Sequence, residues 1–268
     1  MRHAWLIIAH NEWGILQRLV SALDAPECDI YVHIDKKVAQ LPMLQAGKAR
    51  LKMLEKRLDV RWGSASQICC ELALFEAAAQ NGPYDFYHII SGTTLPLKPL
   101  SQINGFFEKA GGKSVLTGLC KDEPYQEALK MRRYNLFLRE YKSSDQLRKR
   151  ISQFMWKSGI AVQRILGIET NRGMDFYKAS NWLSLTEEAV QYILSHKKDI
   201  LRTYRYTLCG DEYFVPTELM ASPLRDKVIN SDVYLKREIL RDTASVFSLT
   251  ELPQLEASDY LFARKFQG

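Results

Sequence analysis

The chain lacks several features that would assign it to a common class of protein. No stretch of its 268 residues approaches the roughly 20 consecutive apolar residues that span a bilayer. The apolar run near the N-terminus is too short for a signal peptide, and no small-residue cleavage site follows it. The sequence contains no P-loop, no dinucleotide-type glycine pattern, no nucleophile elbow, no His-Glu-x-x-His and no internal repeat. These absences exclude several large enzyme classes and predict a soluble, cytoplasmic protein.

The chain has few cysteines and only a small net charge. The five cysteines are odd in number and show no zinc-binding spacing, which predicts a reduced setting. The formal net charge of +6 indicates an anionic ligand or surface, but it does not by itself indicate nucleic acid. The composition is ordinary for a globular protein, at 46% hydrophobic and 25% charged residues. Because no break divides the sequence, we predict one domain over residues 1–268.

Apolar runs alternate with helical patterns, which predicts an α/β fold. The runs His3–Ala9 and Asp29–Asp35 are apolar on both faces, and the amphipathic stretch Trp13–Leu23 lies between them, as in a βαβ unit. Further strands are predicted at Tyr84–Ser91, Lys113–Leu119, Phe176–Leu185 and Val233–Arg241. Further helices are predicted at Ser64–Gln80, with Ser64 or Ser66 as its N-cap, at Thr186–His196 and at Thr250–Leu255.

Polar residues follow the predicted central strands. His10 and Asn11 come directly after the first strand, Asp35 ends the second, and the corner Ser91–Pro96 follows the third. Open α/β sheets bind ligands beyond the carboxyl ends of their strands, which makes these residues candidates for a site. Capping of a turn is the other role open to His10 and Asn11.

An acidic pair, Asp211 and Glu212, precedes an apolar stretch that has the pattern of a helix. Carboxylates in a first helical turn interact favourably with the helix macrodipole, and that structural role is one interpretation. The other interpretation is a carboxylate that takes a proton from a substrate hydroxyl. The pair alone does not decide between the two.

Two basic segments complete the candidates. Residues 121–172 predict a helical excursion from the sheet. Its part Lys121–Arg150 interleaves Lys and Arg with Tyr and Phe, a composition compatible with nucleic acid, with phosphate groups, with sugar rings or with a solvated helical face. Near the C-terminus, Arg264 and Lys265 stand between Phe262 and Phe266. We expect these phenylalanines to dock and so to hold the cation in place.

Six short motifs together resemble one family. They are AHN at Ala9–Asn11, VHID at Val32–Asp35, VRWGSAS at Val60–Ser66, FYHIISGTTLPLK at Phe86–Lys98, DEYF at Asp211–Phe214 and LFARKF at Leu261–Phe266. Their order and rough spacing are those of the core-2/I-branching glycosyltransferases, a family that also includes the peptide O-xylosyltransferases. The resemblance extends from His3 to Phe266, and the ordered set is more specific than any single motif.

The resemblance implies a GT-A-like, Rossmann-type α/β fold with a mixed, mainly parallel sheet flanked by helices. It also implies inverting transfer of a sugar, N-acetylglucosamine or xylose, from a UDP donor to a glycan hydroxyl. Enzymes of this family work without a divalent metal, so no cofactor is expected, and no Asp-x-Asp ends a strand in the first half of this chain. Glu212 matches the family's catalytic base, and Lys265 matches its diphosphate-binding lysine.

The other site residues are also implied by the resemblance. The donor-binding candidates are His10, Asn11, Asp35, Trp62, Ser91, Gly92 and Arg241. The acceptor-binding candidates are Thr93, Thr94, Arg132, Arg133, Trp182 and Asp211. Two departures from the family pattern concern Thr93-Thr94, where relatives often carry an acidic residue, and the stretch 242–245, which lacks the family's second basic residue. Arg241 is the nearest substitute for that residue, and Arg237 is the next.

The resemblance also leads to the expected partners. They are a UDP-sugar donor and a glycan or lipid-linked glycan acceptor of surface polysaccharide biosynthesis in a bacterial cytosolic enzyme. No nucleic acid is expected, and peripheral contact with the inner membrane surface through basic residues stays open. Two alternatives are kept: a polyanion- or nucleic-acid-binding module that uses residues 130–150, and a relative that binds nucleotide sugars without turnover.

Overall fold

A mixed β-sheet organises the protein. The computed structural model describes residues 1–237, 239–240, 243–244 and 246–268. The strands are β1 His3–Ala9, β2 Cys28–Ile34, β3 Arg50–Met53, β4 Phe86–Ser91, β5 Leu95–Pro96, β6 Ser114–Leu116, β7 Leu183–Thr186, β8 Val228–Asn230, β9 Leu235–Arg237, β10 Ile239–Leu240, β11 Thr243–Ala244, β12 Phe247–Ser248, β13 Phe262–Arg264 and β14 Phe266–Gln267. The helices are α1 Trp13–Ala22, α2 Ser66–Ala79, α3 Leu100–Ala110, α4 Pro124–Met131, α5 Gln146–Ile165, α6 Glu187–Ser195, α7 Lys197–Thr203, α8 Phe214–Met220 and α9 Leu252–Glu256.

Seven of these strands pair in the order β3-β2-β1-β4-β7-β6-β8. β1 is parallel to both β2 and β4, β2 is parallel to β3, and β6 is parallel to β8. Only β7 among them runs antiparallel to its neighbours, β4 and β6. The predicted mixed, mainly parallel sheet is therefore confirmed, and β1, β2 and β4 form its centre because they are apolar on both faces.

Helices cover both faces of the central strands. On one face, Phe107 of α3 packs against the rings of Phe86 and His88, with ring centroids 4.6 and 4.8 Å away. On the other face, the hydroxyl of Tyr87, the residue between them in β4, donates to the carboxylate of Glu187 in α6. Because neighbouring residues of a strand point to opposite faces, the two contacts place α3 and α6 on opposite sides. The expected flanking by helices is confirmed.

The C-terminal segment is tied to the corner that follows β4. β13 pairs antiparallel with β5 and parallel with β9. The backbone N–H of Phe266 donates to the carbonyl of Thr93 at 2.9 Å. Phe262 and Phe266 are fully buried, so the expected docking of these rings is confirmed. The docked rings hold Arg264 and Lys265 beside the carboxyl end of β4.

Three predicted elements differ from the structure. The predicted strand Phe176–Leu185 is reduced to β7, because its earlier residues bond to several separate partners: Ala179 N–H to Glu212 O, Ser180 N–H to Thr117 O and Tyr177 N–H to Thr217 Oγ1. Of the predicted strand Val233–Arg241, the structure places Leu235–Arg237 in β9 and Ile239–Leu240 in β10, and residues 238 and 241 lie outside the described residues. The N-cap of α2 is Ala65, because Ser66 Oγ instead accepts the N–H of Arg61.

The other helical predictions agree closely with the structure. Thr186 caps α6 by accepting the N–H of Ala189 at 3.4 Å. The segment predicted at Thr250–Leu255 is a 3-10 turn, Leu249–Glu251, that continues into α9. None of the helices in the described ranges combines the length and hydropathy needed to cross a membrane.

Candidate active site

A cavity of about 530 Å³ lies at the carboxyl ends of β1, β2 and β4. These three strands are parallel neighbours, so the residues that follow them meet at one edge of the sheet. The excursion supplies the residues around 138–143 to the lining, and the C-terminal segment supplies Arg264 and Lys265. A concave site at this edge is where open α/β sheets bind small ligands.

The structure brings most of the predicted site residues together. Those that line the cavity are His10, Asn11, Asp35, Trp62, Ser91, Gly92, Thr93, Trp182, Asp211, Glu212 and Lys265. Arg241 lies outside the described residues, and the structure does not describe the side chain of Arg237. Thr94 is buried behind the corner, where its hydroxyl lies 3.1 Å from Ser91 Oγ, and does not line the cavity.

Arg132 and Arg133 are not brought to the cavity. Arg132 pairs with Glu127 at 2.7 Å and donates to the carbonyl of Met174 at 2.8 Å. Arg133 pairs with Glu169 at 3.2 Å. These contacts tie α4 to the loop after α5, so the acceptor contact expected of the two arginines is replaced by a structural role.

Glu212 is presented to the cavity by a short 3-10 turn, Gly210–Glu212, directly before α8. Gly210 is required there, because a Cβ at this position would lie 2.4 Å from Thr207 Oγ1. The side chain of Glu212 is 25% exposed, and Lys178 Nζ lies 3.7 Å from its Oε2. A carboxylate held at the wall of a cavity and still open to solvent can accept a proton from a bound hydroxyl.

Lys178 connects Glu212 to a second carboxylate. Its Nζ lies 3.7 Å from Asp122, whose carboxylate also pairs with Lys130 at 2.9 Å and accepts the hydroxyl of Tyr213. Burial alone would lower the pKa of Lys178, but the carboxylates of Glu212 and Asp122 outweigh it, so the pKa is raised. The ammonium therefore stays charged and holds Glu212 against the loop before β7. Sequence reasoning missed Lys178, because the contact joins residues 34 positions apart.

A buried carboxyl group lies behind the acidic pair. Glu71 of α2 is fully buried, and Gln67 Nε2 donates to its Oε1 at 3.4 Å. Burial, together with the nearby charge of Asp211, raises the pKa of Glu71 well above its ordinary value of 4.5. Both effects favour the neutral form of Glu71. One feature of the sequence indicates this burial. Glu71 lies three residues after Ile68 and four residues before Phe75, which are both buried, and so lies on the apolar face of the helix.

Replacing Glu71 with Gln is expected to stabilise the protein increasingly as the pH rises. Folding raises the pKa of Glu71, so its contribution to the free energy of unfolding is fully present below pH 4.5 and is lost as the pH rises through the folded-state value. Gln has no proton to lose. The melting temperature of Glu71→Gln minus that of the wild type should therefore grow from pH 4.5 to pH 8. A difference that does not change with pH would contradict a raised pKa of Glu71.

Cations outnumber carboxylates around the cavity. The basic lining residues are Lys37, Arg61, Arg139, Lys142, Arg264 and Lys265, against the acidic residues Asp35, Asp211 and Glu212. Burial and the neighbouring ammonium of Lys265 lower the pKa of His10, which is therefore neutral at pH 7. The net positive lining suits an anionic group such as a diphosphate. Within the described ranges, no group of three or more His, Cys, Asp or Glu side chains is arranged to hold a metal ion.

Two of these cations have fixed positions. The guanidinium of Arg264 lies 4.5 Å above the ring of Trp182, an arrangement that keeps it charged and oriented beside Lys265. Lys37 Nζ lies 2.6 Å from Asp35 Oδ2 and 3.1 Å from Asp59 Oδ1. From the sequence, Arg264 and Lys265 were noted in the same motif, but only Lys265 was given a role at the site. Lys37 was missed because its orientation depends on the loop after β3.

An aromatic platform borders the cavity on the side of the excursion. Trp62 is half exposed and stacks on Tyr141, with ring centroids 5.5 Å apart and an interplanar angle of 18°. Lys142 Nζ lies 4.8 Å from the centre of the Trp62 ring. A flat exposed ring next to cations is suited to stack against a nucleobase or a sugar ring. Lys142 and Arg139 were part of the predicted basic excursion but not of the predicted site.

Gly92 allows the ends of β1 and β4 to approach closely, and Gly92→Ala is expected to disturb the site. A Cβ on residue 92 would lie 2.6 Å from the Cβ of Ala9. We expect Gly92→Ala to destabilise the protein by about 1–3 kcal/mol, as overpacking does, and to weaken ligand binding in the cavity. Gly105→Ala is the control, because nothing lies within 4 Å of a Cβ there and Ala favours the interior of α3. Equal melting temperatures for Gly92→Ala and the wild type would contradict the close approach.

The chain is similar in sequence to known proteins. The family model described as Core-2/I-Branching enzyme matches residues 3–243. Xylosyltransferase oxt of Drosophila melanogaster is 26% identical over 217 residues, and the protein of the same name from Drosophila pseudoobscura pseudoobscura is 25% identical. In both cases the match covers 76% of this chain but only 22% of the relative, so the chain spans about a fifth of the length of these curated relatives.

A similar solved structure has also been found. The crystal structure of mouse xyloside xylosyltransferase 1 in its apo form matches with a TM-score of 0.43 at 11% sequence identity, over 98% of this chain and 96% of that one. The family assignment does not depend on this weak likeness, since the family model covers most of the chain. The chain belongs to the Core-2/I-branching enzyme family of glycosyltransferases.

Proposed function

We propose that the protein is an inverting glycosyltransferase that moves a sugar from a UDP-sugar to a hydroxyl group of a glycan. The observation that carries this proposal is that Glu212 and Lys265, on elements far apart in the sequence, line the same cavity at the carboxyl ends of the central strands. One residue is suited to accept a proton and the other to stabilise an anion. An inverting transfer needs these two functions on opposite sides of the reacting carbon.

In the proposed reaction, the acceptor oxygen forms a bond to the anomeric carbon of the donor sugar. The bond between that carbon and the phosphate oxygen breaks, and UDP leaves with the electron pair. The proton of the acceptor hydroxyl moves to the carboxylate of Glu212. The ammonium of Lys265 and the guanidinium of Arg264 stabilise the negative charge that develops on the diphosphate, so we propose that no divalent metal is required.

We propose N-acetylglucosamine or xylose as the sugar that is transferred. The xylosyltransferase names of the two Drosophila relatives support xylose, and the family's core-2/I-branching activity supports N-acetylglucosamine. For the acceptor, we propose a glycan or lipid-linked glycan of surface polysaccharide biosynthesis, met on the cytoplasmic side of a membrane. The Trp62 platform and the cations Arg139 and Lys142 offer stacking and charge to such a molecule.

A thermal-shift panel tests the donor and the metal requirement together. UDP and the UDP-linked forms of N-acetylglucosamine, xylose, glucose, galactose and glucuronate would each be added with EDTA and with manganese. A ligand that binds only the folded protein raises the melting temperature by mass action. We expect one UDP-sugar to raise it, and the rise to persist in EDTA. A rise with none of them would contradict a UDP-sugar site, and a rise only with manganese would contradict metal independence.

A further inference from the structure

The helix α5 exposes a stripe of large apolar side chains. Leu147 and Phe154 are each 68% exposed, and Ile165 is 83% exposed. The exposed apolar residues of the helix and its C-terminal end are Leu147, Ile151, Phe154, Met155, Val162, Ile165, Leu166 and Ile168. Within the helix they are three or four residues apart, except for a seven-residue step from Met155 to Val162, and these spacings place them along one side.

This stripe is not the face by which α5 packs on the rest of the protein. The side chains that α5 buries are Ser152, Ile160 and Gln163. Gln163 is held by hydrogen bonds to the backbone of Tyr134, whose N–H and carbonyl lie 2.8 and 3.0 Å away. A surface helix ordinarily turns its apolar side to the core and its polar side to water. In α5 a largely polar face is packed inward, and the apolar stripe faces outward.

The charges on α5 are all of one sign. Its basic residues are Arg148, Lys149, Arg150, Lys157 and Arg164, and residues 146–165 contain no Asp or Glu. A helix with an exposed apolar side, flanked by Lys and Arg, has the chemistry of helices that lie in the plane of a membrane interface. The basic residues attract anionic headgroups, and the apolar side chains enter the boundary of the acyl region.

We propose that α5 is an interfacial helix that binds the surface of an anionic lipid bilayer. A second copy of this chain fits the stripe less well, because a symmetric contact would bring five basic residues of each helix against five of the other. A nucleic acid would satisfy the charges but would leave the apolar stripe in water. An anionic bilayer satisfies both features at once.

The position of α5 relative to the cavity gives the proposal a functional consequence, which rests on the proposed transfer reaction. The lining residues Leu138, Arg139, Lys142 and Ser143 directly precede the helix. Tyr141, which supports the Trp62 platform, packs edge-on against Trp156 of α5, with ring centroids 5.4 Å apart. A helix seated in the membrane interface therefore keeps this rim of the cavity near the headgroups, where the sugar of a lipid-linked acceptor is found.

Vesicle flotation of the full chain, without donor, tests the proposal. We expect the wild type to float with vesicles that contain phosphatidylglycerol and not with vesicles of phosphatidylcholine alone. Ile151→Ser/Phe154→Ser should lower vesicle binding at least about tenfold, since two buried apolar side chains are lost. The matched control is Leu41→Ser/Met43→Ser, which removes two exposed apolar side chains elsewhere and should bind as the wild type does.

A second pair of variants tests the charges. Lys149→Gln/Arg150→Gln/Lys157→Gln should lower binding to the anionic vesicles by roughly 100-fold, and Lys52→Gln/Lys56→Gln/Lys109→Gln should change it far less. All of these positions are exposed except Lys149, which is half-buried, so the variants should keep the fold, and equal melting temperatures verify this.

Several results would overturn the membrane assignment. One is absence of wild-type binding to anionic vesicles, and another is equal binding by the Ile151→Ser/Phe154→Ser variant. A third is a wild-type dimer in light scattering that is absent for this variant, which would assign the stripe to contact with a second copy. Flotation needs no UDP-sugar, so a negative flotation result would not contradict the proposed transfer reaction. Absence of transferase activity would likewise not change the flotation result.

Discussion

Glu212→Gln is expected to lower the turnover number for sugar transfer by about 10²–10⁴-fold while the Kd for UDP stays within about twofold of the wild type. The range is the usual contribution of a positioned general base. Gln keeps the size of the side chain but cannot accept the acceptor proton as the new bond forms. UDP binding should persist, because we assign the diphosphate to the lining cations Arg264 and Lys265 and not to Glu212.

The measurement for Glu212→Gln is the rate of UDP release under saturating donor, together with a calorimetric titration of UDP. Glu55→Gln is the matched control, since it removes one exposed carboxylate outside the cavity. It should retain the wild-type rate. Turnover by Glu212→Gln at the wild-type rate would remove this residue from the role of base, and another acid of the lining, such as Asp211, would have to take it.

Lys265→Ala is expected to raise the Kd for UDP by about 10–100-fold. Hydrogen bonds to charged groups contribute about 1.5–3 kcal/mol, and a diphosphate in a partly enclosed cavity depends on them. Lys265→Arg keeps the charge and should recover part of the affinity. The loss should also be smaller for uridine, which carries no phosphate, because the removed interaction is with the diphosphate.

Calorimetric titration of UDP and of uridine into each variant provides the comparison. Lys98→Ala is the control, because Lys98 lies outside the cavity and donates to the carbonyl of Glu256. It should bind UDP as the wild type does. An unchanged Kd in Lys265→Ala would exclude this lysine from the diphosphate site and leave Arg264 as the cation to test.

The sheet could be predicted from the sequence where both faces of a strand are buried. β1 matches the predicted bounds, because a strand covered on both sides must be apolar throughout. The prediction of Phe176–Leu185 was wrong for residues 176–182, because the residue types of a segment do not reveal that it bonds to three separate partners. β3 was missed altogether, since its four residues are mostly exposed at the edge of the sheet.

The candidate site could be predicted in part from strand ends and in part only from the resemblance. His10, Asn11 and Asp35 follow from the rule that parallel strands end at one edge. Lys265 was assigned by its motif, since nothing in the composition of a C-terminal segment says that it returns to β4. Lys178 and Glu71 were missed, because their roles depend on contacts between elements distant in the sequence.

The basic excursion shows why charge patterns alone mislead. From the sequence, a polyanion-binding role for residues 130–150 was an alternative. Lys130, Arg132 and Arg133 form ion pairs with Asp122, Glu127 and Glu169, so this part of the run serves the fold. The apolar stripe of α5 was not recognised, because an amphipathic pattern does not tell which side of a helix faces the core.

The configuration of the released sugar tests the proposed reaction most directly. In EDTA and without a glycan, water can take the acceptor's place, and proton NMR can follow the first product formed from a UDP-α-linked donor. We expect the wild type to release the β-anomer first and Glu212→Gln to release it far more slowly. Initial release of the α-anomer, or release that requires manganese, would contradict an inverting, metal-independent transfer assisted by Glu212.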